Sequence, residues 1–270
     1  MTPDQLCACM CDYVSTHKIT TLPAYLSALS EYYRSNSLGE LPREHERVVR
    51  VRKGITNYYS LSETTTPKSP LGFTELKQLY KLIDLSTFSG AREWAAYTIS
   101  FFALLRRSEI LDTRLTFSHI QLHNTGMAIT VPFSKTNNRP HTVHICKRDD
   151  FLCPVHAFLS YQAFIPSKLR NIPTCPVFIA TQHTTQVVDH RHMSTILKSR
   201  LTSLQLDATH YGWHSWRRGG TTAMFAAGVA ETMIQAHGRW ASATYRIYLD
   251  TTVSLEHSLL PTQMLRSDRR

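Results

Sequence analysis

The sequence predicts a mainly helical chain with one small antiparallel β-sheet, an α+β class. Three observations lead there. Apolar residues recur at helical spacing through most of the chain, as in Leu22, Tyr25, Leu26 and Leu29. Strict alternation is confined to one region, with Met127, Ile129, Val131 and Phe133 at its centre. A Ser/Thr/Pro-rich stretch, Ser62 to Pro70, reads as a linker. It divides a helical, basic region, 1–66, from a larger domain, 67–270.

The 270 residues are enough for two domains with real cores, and the net charge is +10. That charge points to a polyanionic partner, nucleic acid before an acidic membrane surface. No stretch approaches membrane-spanning length, and no secretory leader is expected at the N-terminus. Six cysteines in a chain of this length indicate free thiols in a reducing compartment. Cys7, Cys9 and Cys11, with His17 beyond, do not have a zinc spacing and read as a helix face or a frayed terminus.

Taken in order, Asp4 to Tyr33 reads as helical, with Pro23 acceptable in a first turn. Gly39 marks a break before a second helix from about Arg43 to Tyr59. Arg43, Arg47, Arg50, Arg52 and Lys53 make this helix basic, so it is either a solvated face or a surface that tracks DNA phosphates. Phe73 to Leu85 is a helix with Thr74 as N-cap. Ala91 to Leu105 is a more buried helix ending in Leu105-Arg106-Arg107-Ser108-Glu109-Ile110. Three strands follow, around Ile120–Leu122, Met127–Phe133 and Val143–Ile145. The polar turn Ser134–Pro140 puts Lys135 at a hairpin tip, and His141 and His144 read as strand surface. Cys153 to Ile165 is helical. Pro166 to Asp189 is irregular and expected to cover a surface. Met193 to Leu206 is a helix with Lys198 and Arg200 outward.

The chain is organised around His214-Ser215-Trp216-Arg217-Arg218-Gly219-Gly220. A helix is expected from His214 to about Ala227, so His214 and Arg217, three apart, share a face. Gly219 and Gly220 each cost roughly 1 kcal/mol there relative to Ala, which suggests close backbone packing or approach to DNA. Glu231 to His237 is a short helix, Gly238-Arg239-Trp240 a turn, and Ser242 to about Leu249 a further helix carrying Tyr245 and Tyr248. A His, an Arg, an indole N–H and a phenol suit the gripping of a phosphodiester and its attack by tyrosine.

These motifs, in this order, resemble the catalytic signature of the tyrosine recombinases, the phage integrase group. The resemblance covers about residues 70–250. The Arg-Arg-Gly-Gly and Gly-Arg-Trp forms are most similar to the recombinases of crypton and DIRS-type mobile elements. It implies a tyrosine recombinase catalytic fold preceded by a short helical DNA-binding region. It also implies roles: Arg106, in an Arg-x-Ser-Glu motif, and Arg217 clamp the non-bridging oxygens. His214 hydrogen-bonds the phosphate or assists the tyrosine proton, and Trp240 donates its indole N–H. Lys135 protonates the leaving 5′-oxygen. Tyr248, eight residues after Trp240, attacks to form a 3′-phosphotyrosine, with Tyr245 its competitor. Glu109 buttresses the site. No metal or cofactor is required, because the Arg and Lys groups take the role of cation, and no ATP, because the covalent link holds the bond energy.

The expected function is therefore site-specific DNA recombination, on double-stranded DNA, by a homo-oligomer (dimer or tetramer) assembled there, in the nucleus. The C-terminal tail, with Arg266, Arg269 and Arg270, is expected to dock on a neighbouring protomer. Two other readings stand beside it: a catalytically silent, domesticated DNA-binding protein of the same fold, and a type IB topoisomerase-like relaxing enzyme. A basic interaction module with coincidental motifs is the reading outside nucleic-acid enzymes.

Overall fold

The computed structural model describes residues 1–60, 68–112, 115–132 and 139–248. The chain divides into two compact units, Met1–Thr66 and Pro67–Arg270. No helix among the described residues is long and apolar enough to cross a membrane.

The first unit holds α1 (Pro3–Thr16), α2 (Leu22–Ser35) and α3 (Glu46–Ser60). The single helix expected over Asp4–Tyr33 is thus two. Thr2 starts α1 with a reciprocal cap: its hydroxyl accepts from the Gln5 amide at 3.2 Å, and its own amide donates to Gln5 Oε1 at 2.8 Å. The chain turns extended at His17 (φ −127°, ψ 155°) and re-enters helix with Pro23 in the first turn of α2. Proline lacks an N–H and is tolerated at that position but not in a helix interior, so it marks a new start. Leu6, Met10 and Val14 of α1 form the core with Leu22, Leu26, Val48 and Ile55. Cys7 is buried in the same core, whereas Cys11 is exposed.

The second unit is built around α5 (Phe88–Phe102), in which every residue from Gly90 to Phe101 is buried. It packs against α7 (Pro154–Ala163) and α10 (His214–Ala226). Ahead of it lies α4 (Phe73–Tyr80), shorter than expected and capped two residues earlier. Gly72, not Thr74, is the N-cap, and its amide donates to Glu75 Oε2 at 2.7 Å. After α5 come the short α6 (Arg107–Ile110) and the meander β1 (Ile120–His123), β2 (Gly126–Val131) and β3 (His141–Cys146). The strands run antiparallel in the order β1-β2-β3, with Ile120 opposite Ile129 and Met127 opposite Ile145. Central β2 is buried on both faces over Gly126–Ile129, so only β3 keeps the expected alternation, Val143 and Ile145 inward and His144 outward.

The segment 166–189 covers a surface only in part: 171–174 and 183–186 are exposed, but its middle is buried. Beyond the short α8 (Ser167–Arg170), Cys175, Val177, Phe178, Ile179 and Val188 join the core. Irregular backbone can be buried because its polar groups are matched: Tyr161 Oη donates to the Val177 carbonyl at 3.1 Å and accepts from the Ile179 amide at 3.0 Å. Next, α9 (His190–Ser203) turns Lys198 outward but Arg200 inward, where Arg200 Nε bonds Glu93 Oε1 at 3.2 Å. A buried carboxylate on α5 overrides the helix periodicity that assigned Arg200 to solvent.

In α10 the glycine pair is a packing requirement. A Cβ on Gly219 would sit 1.7 Å from the Leu71 carbonyl oxygen, and one on Gly220 would sit 2.2 Å from that of Phe101. The last described elements are α11 (Glu231–Gly238) and a 3-10 helix, Ala243–Tyr248, where an α-helix was expected.

Candidate active site

The site lies where the turn after α5 meets the start of α10 and the end of α11. Leu104 adopts a left-handed conformation (φ 48°) just past α5. That geometry costs a non-glycine residue about 1–2 kcal/mol. Its carbonyl is also where two guanidinium groups meet, Arg217 Nη1 and Arg239 Nη2 both donating to it.

Arg106 is the last extended residue before α6 (φ −76°, ψ 154°). Its amide donates to Glu109 Oε2 at 2.8 Å and its Nη1 to Glu109 Oε1 at 2.8 Å. One side chain thus caps α6 and holds the arginine. The Arg106 side chain keeps 20% of its surface open to solvent, whereas that of Glu109 keeps 3%.

His214 and Arg217 lie on one side of α10 at different depths. His214 is exposed, while Arg217 has no solvent-accessible surface. Arg217 donates through Nη1 to Leu104 O and through Nη2 to Gly238 O, and the Trp240 ring centroid lies 4.1 Å from its guanidinium carbon. Although the residue reaches solvent, the protein around its imidazole desolvates it, and with the charges of Arg217, Arg218 and Arg106 this pushes the His214 pKa down to about 4. It is neutral at pH 7 and able to accept a proton.

Trp240 follows Arg239, which caps α11 in the left-handed region (φ 60°). The Arg239 side chain is 4% exposed and meets Glu109 Oε2 at 2.7 Å. Burial raises the Glu109 carboxyl, but the Arg239 charge and the Arg106 contacts outweigh that, so its pKa lies below the ordinary carboxylate value. His237 Nε2 donates to the Phe102 carbonyl at 2.8 Å, and burial lowers its pKa first, with Arg239 and His141 adding to it. His141 is therefore close to this site rather than an isolated surface residue.

Of the expected catalytic set, Arg106, His214, Arg217 and Trp240 are brought together. Lys135 lies outside the described residues, as do the tail arginines Arg266, Arg269 and Arg270. Tyr248 ends the 3-10 helix, which packs on α10 and α11; its side chain lies outside the described residues. Tyr245 is 3% exposed, donates to Glu231 Oε2 at 2.6 Å and sits 5.9 Å from the Trp240 ring, an aromatic held in packing. Arg239 was not among the expected site residues. Its signal was present: a long cation between the glycine that ends a helix and the tryptophan.

In the first unit the five basic residues do not share one face. Arg43, Arg52 and Lys53 line a cleft of about 620 Å³ floored by Leu22, Pro23 and Leu26. Arg47 pairs with Asp4 at 3.0 Å, and Arg50 pairs with Glu46.

A scan against protein-family models gives no match, and neither does a search of curated proteins. Solved structures do match. A Tn1549 transposon integrase in complex with circular intermediate DNA is 14% identical, covering 93% of this chain and 80% of that one, with a TM-score of 0.56. XerA recombinase is 15% identical, covering 99% and 91%, with a TM-score of 0.53. XerH site-specific recombinase bound to a palindromic difH substrate is 17% identical, covering 73% of this chain, with a TM-score of 0.55. The chain spans 54% of the length of that XerH chain. At such identities the likeness is one of fold: a mainly helical domain with a small three-stranded antiparallel sheet, the tyrosine recombinase catalytic fold.

Proposed function

We propose that this chain breaks and rejoins double-stranded DNA as a site-specific recombinase acting through a 3′-phosphotyrosine. The observation that carries the proposal is the convergence, on this fold, of Arg106, His214, Arg217 and Trp240 from three separate stretches of sequence. A phosphodiester in an in-line transition state spreads negative charge over its oxygens and calls for fixed cations. Arg106 supplies the accessible guanidinium and Arg217 the deeper one. Neutral His214 hydrogen-bonds the phosphate or takes the tyrosine proton. Tyr248 attacks, Lys135 protonates the leaving oxygen, and Trp240 both covers Arg217 and brings an N–H donor. Because the Trp240 ring lies over Arg217, engagement of phosphate by Arg217 requires the indole to swing aside.

The Gly-Arg-Trp form supports a mobile-element origin, and with it a nuclear setting. The lambda integrase structure is a tetramer on a Holliday junction, which supports assembly of this chain as a dimer or tetramer on DNA. Arg43, Arg52 and Lys53 would add phosphate contacts from the first unit.

One observation favours a second reading, the silent DNA-binding protein: Arg217 has no accessible surface and two of its donors are held by carbonyls. Covalent trapping on nicked duplexes drawn from the sequence flanking the native gene separates the two. An adduct lost in Tyr248→Phe and kept in Tyr245→Phe supports the enzyme and its nucleophile. Tight, salt-sensitive binding without an adduct supports the silent reading. Joining of two distinct duplexes, rather than relaxation alone, separates recombinase from topoisomerase.

A further inference from the structure

We infer that Arg239 is a positioning residue that sets the two catalytic arginines at once, an inference that rests on the recombinase reading. Its guanidinium makes contacts in two directions. Nη2 bonds Glu109 Oε2 at 2.7 Å, the same oxygen that accepts the Arg106 amide, while Glu109 Oε1 holds the Arg106 guanidinium. Nη2 also reaches the Leu104 carbonyl at 3.2 Å, the acceptor of Arg217 Nη1. Nη1 adds the carbonyls of Ala103 at 3.2 Å and His237 at 3.3 Å. One buried fork therefore ties the turn after α5, the carboxylate that orients Arg106 and the end of α11.

The backbone is shaped to deliver it. Arg239 is left-handed at the C-cap of α11, an unfavourable conformation for a side-chain-bearing residue, and Trp240 follows directly. A displacement of the turn would move Arg239 and the indole over Arg217 together. The fork geometry matters as much as the charge: a lysine ammonium is a point charge and cannot meet the carboxylate and the carbonyls in one plane. Arg239 itself does not touch the phosphate in this scheme. It acts through Glu109 and Leu104.

The test uses the full chain and nicked duplexes from the flanking sequence, reading adduct formation at saturating duplex separately from duplex affinity. Arg239→Lys is expected to slow adduct formation by about 10-fold and Arg239→Ala by about 100-fold, as misplaced catalytic groups do, with affinity within about 2-fold of wild type. Glu109→Gln should slow it likewise, and Arg239→Lys with Glu109→Gln should lose no more than the worse single variant. Thermal melts establish that the proteins compared are folded, and Arg239→Lys decides where Arg239→Ala does not fold. Wild-type rates in folded Arg239→Lys overturn the inference. So do additive losses, or equal losses of affinity and rate. A wild-type chain that binds duplex but forms no adduct overturns the recombinase reading itself, and the role with it, an outcome distinct from the others.

Discussion

The Arg217 guanidinium lies 4.1 Å from the centroid of the Trp240 ring, with its terminal nitrogens on two backbone carbonyls. A desolvated cation against an indole face is worth about 2 kcal/mol. Trp240→Ala should therefore destabilise the fold by about 2 kcal/mol, and Trp240→Phe by less, since a phenyl face keeps part of the attraction. Urea unfolding monitored by circular dichroism measures both. If Trp240 also donates its N–H to the phosphate, Phe restores stability but not adduct formation. Equal recovery of both by Phe would confine Trp240 to covering Arg217.

The glycine pair of α10 and Gly54 of α3 give predictions of opposite sign. Gly219→Ala and Gly220→Ala place a methyl group within 1.7 and 2.2 Å of carbonyl oxygens on other segments. Forced repacking should destabilise each by about 1–3 kcal/mol or more, despite the helix propensity gained. Gly54 lies inside α3 with nothing within 4 Å of the added Cβ. Gly54→Ala should instead stabilise the first unit by about 0.5–1 kcal/mol. Denaturation midpoints of the three variants decide it, and a stabilised Gly220→Ala would contradict the close approach of α10 to α5.

Periodicity read helices such as α4 and α9 because each buries one apolar stripe, Leu76 and Leu79 in the first and Met193, Leu197 and Leu201 in the second, and alternation found the meander although only β3 keeps it in burial. Boundaries were less legible. The division of α1 from α2 depends on His17 going extended, and a run of apolar residues at helical spacing conceals it. The buried course of 175–179 was hidden for a different reason: its backbone polar groups are satisfied by Tyr161 and by bridges distant in sequence, such as Thr116 to Pro176. At the site, the order of motifs singled out Arg106, His214, Arg217 and Trp240. It could not reveal that Arg217 is sealed while His214 is open, since three-residue spacing fixes a face but not a depth. Nor could it show what Arg239 holds, since its partner Glu109 lies 130 positions away.

The His214 imidazole, with its pKa depressed from 6.5 to about 4, makes stability depend on pH with a defined sign. Between these values the unfolded chain binds a proton that the folded chain does not. The contribution is full above pH 6.5 and is lost progressively as pH falls toward 4. Burial depresses His237 and His141 in the same direction. Stability should thus fall on acidification below neutrality. His214→Gln should reduce the slope between pH 4 and 6.5 and leave it unchanged above. Identical slopes in the two proteins would mean that neither desolvation nor the neighbouring arginines depress the His214 imidazole.

The last prediction concerns the ion pair that joins half-buried Arg200 of α9 to buried Glu93 of α5. Glu93 is 3% exposed, and Arg200 meets both of its oxygens, at 3.2 and 3.3 Å, while donating to the Leu82 carbonyl at 2.8 Å. Removing one member of such a pair leaves a buried charge alone and costs about 3–5 kcal/mol; removing both costs less. Arg200→Met should therefore be strongly destabilising, and Arg200→Met with Glu93→Gln should recover part of the loss. Because α5 positions the turn that carries Leu104 and Arg106, the single variant should also lower adduct formation once folded protein is matched, and the double variant should restore it. A double variant no more stable than Arg200→Met would show that Arg200 acts through the Leu82 carbonyl and its own packing rather than through the charge of Glu93.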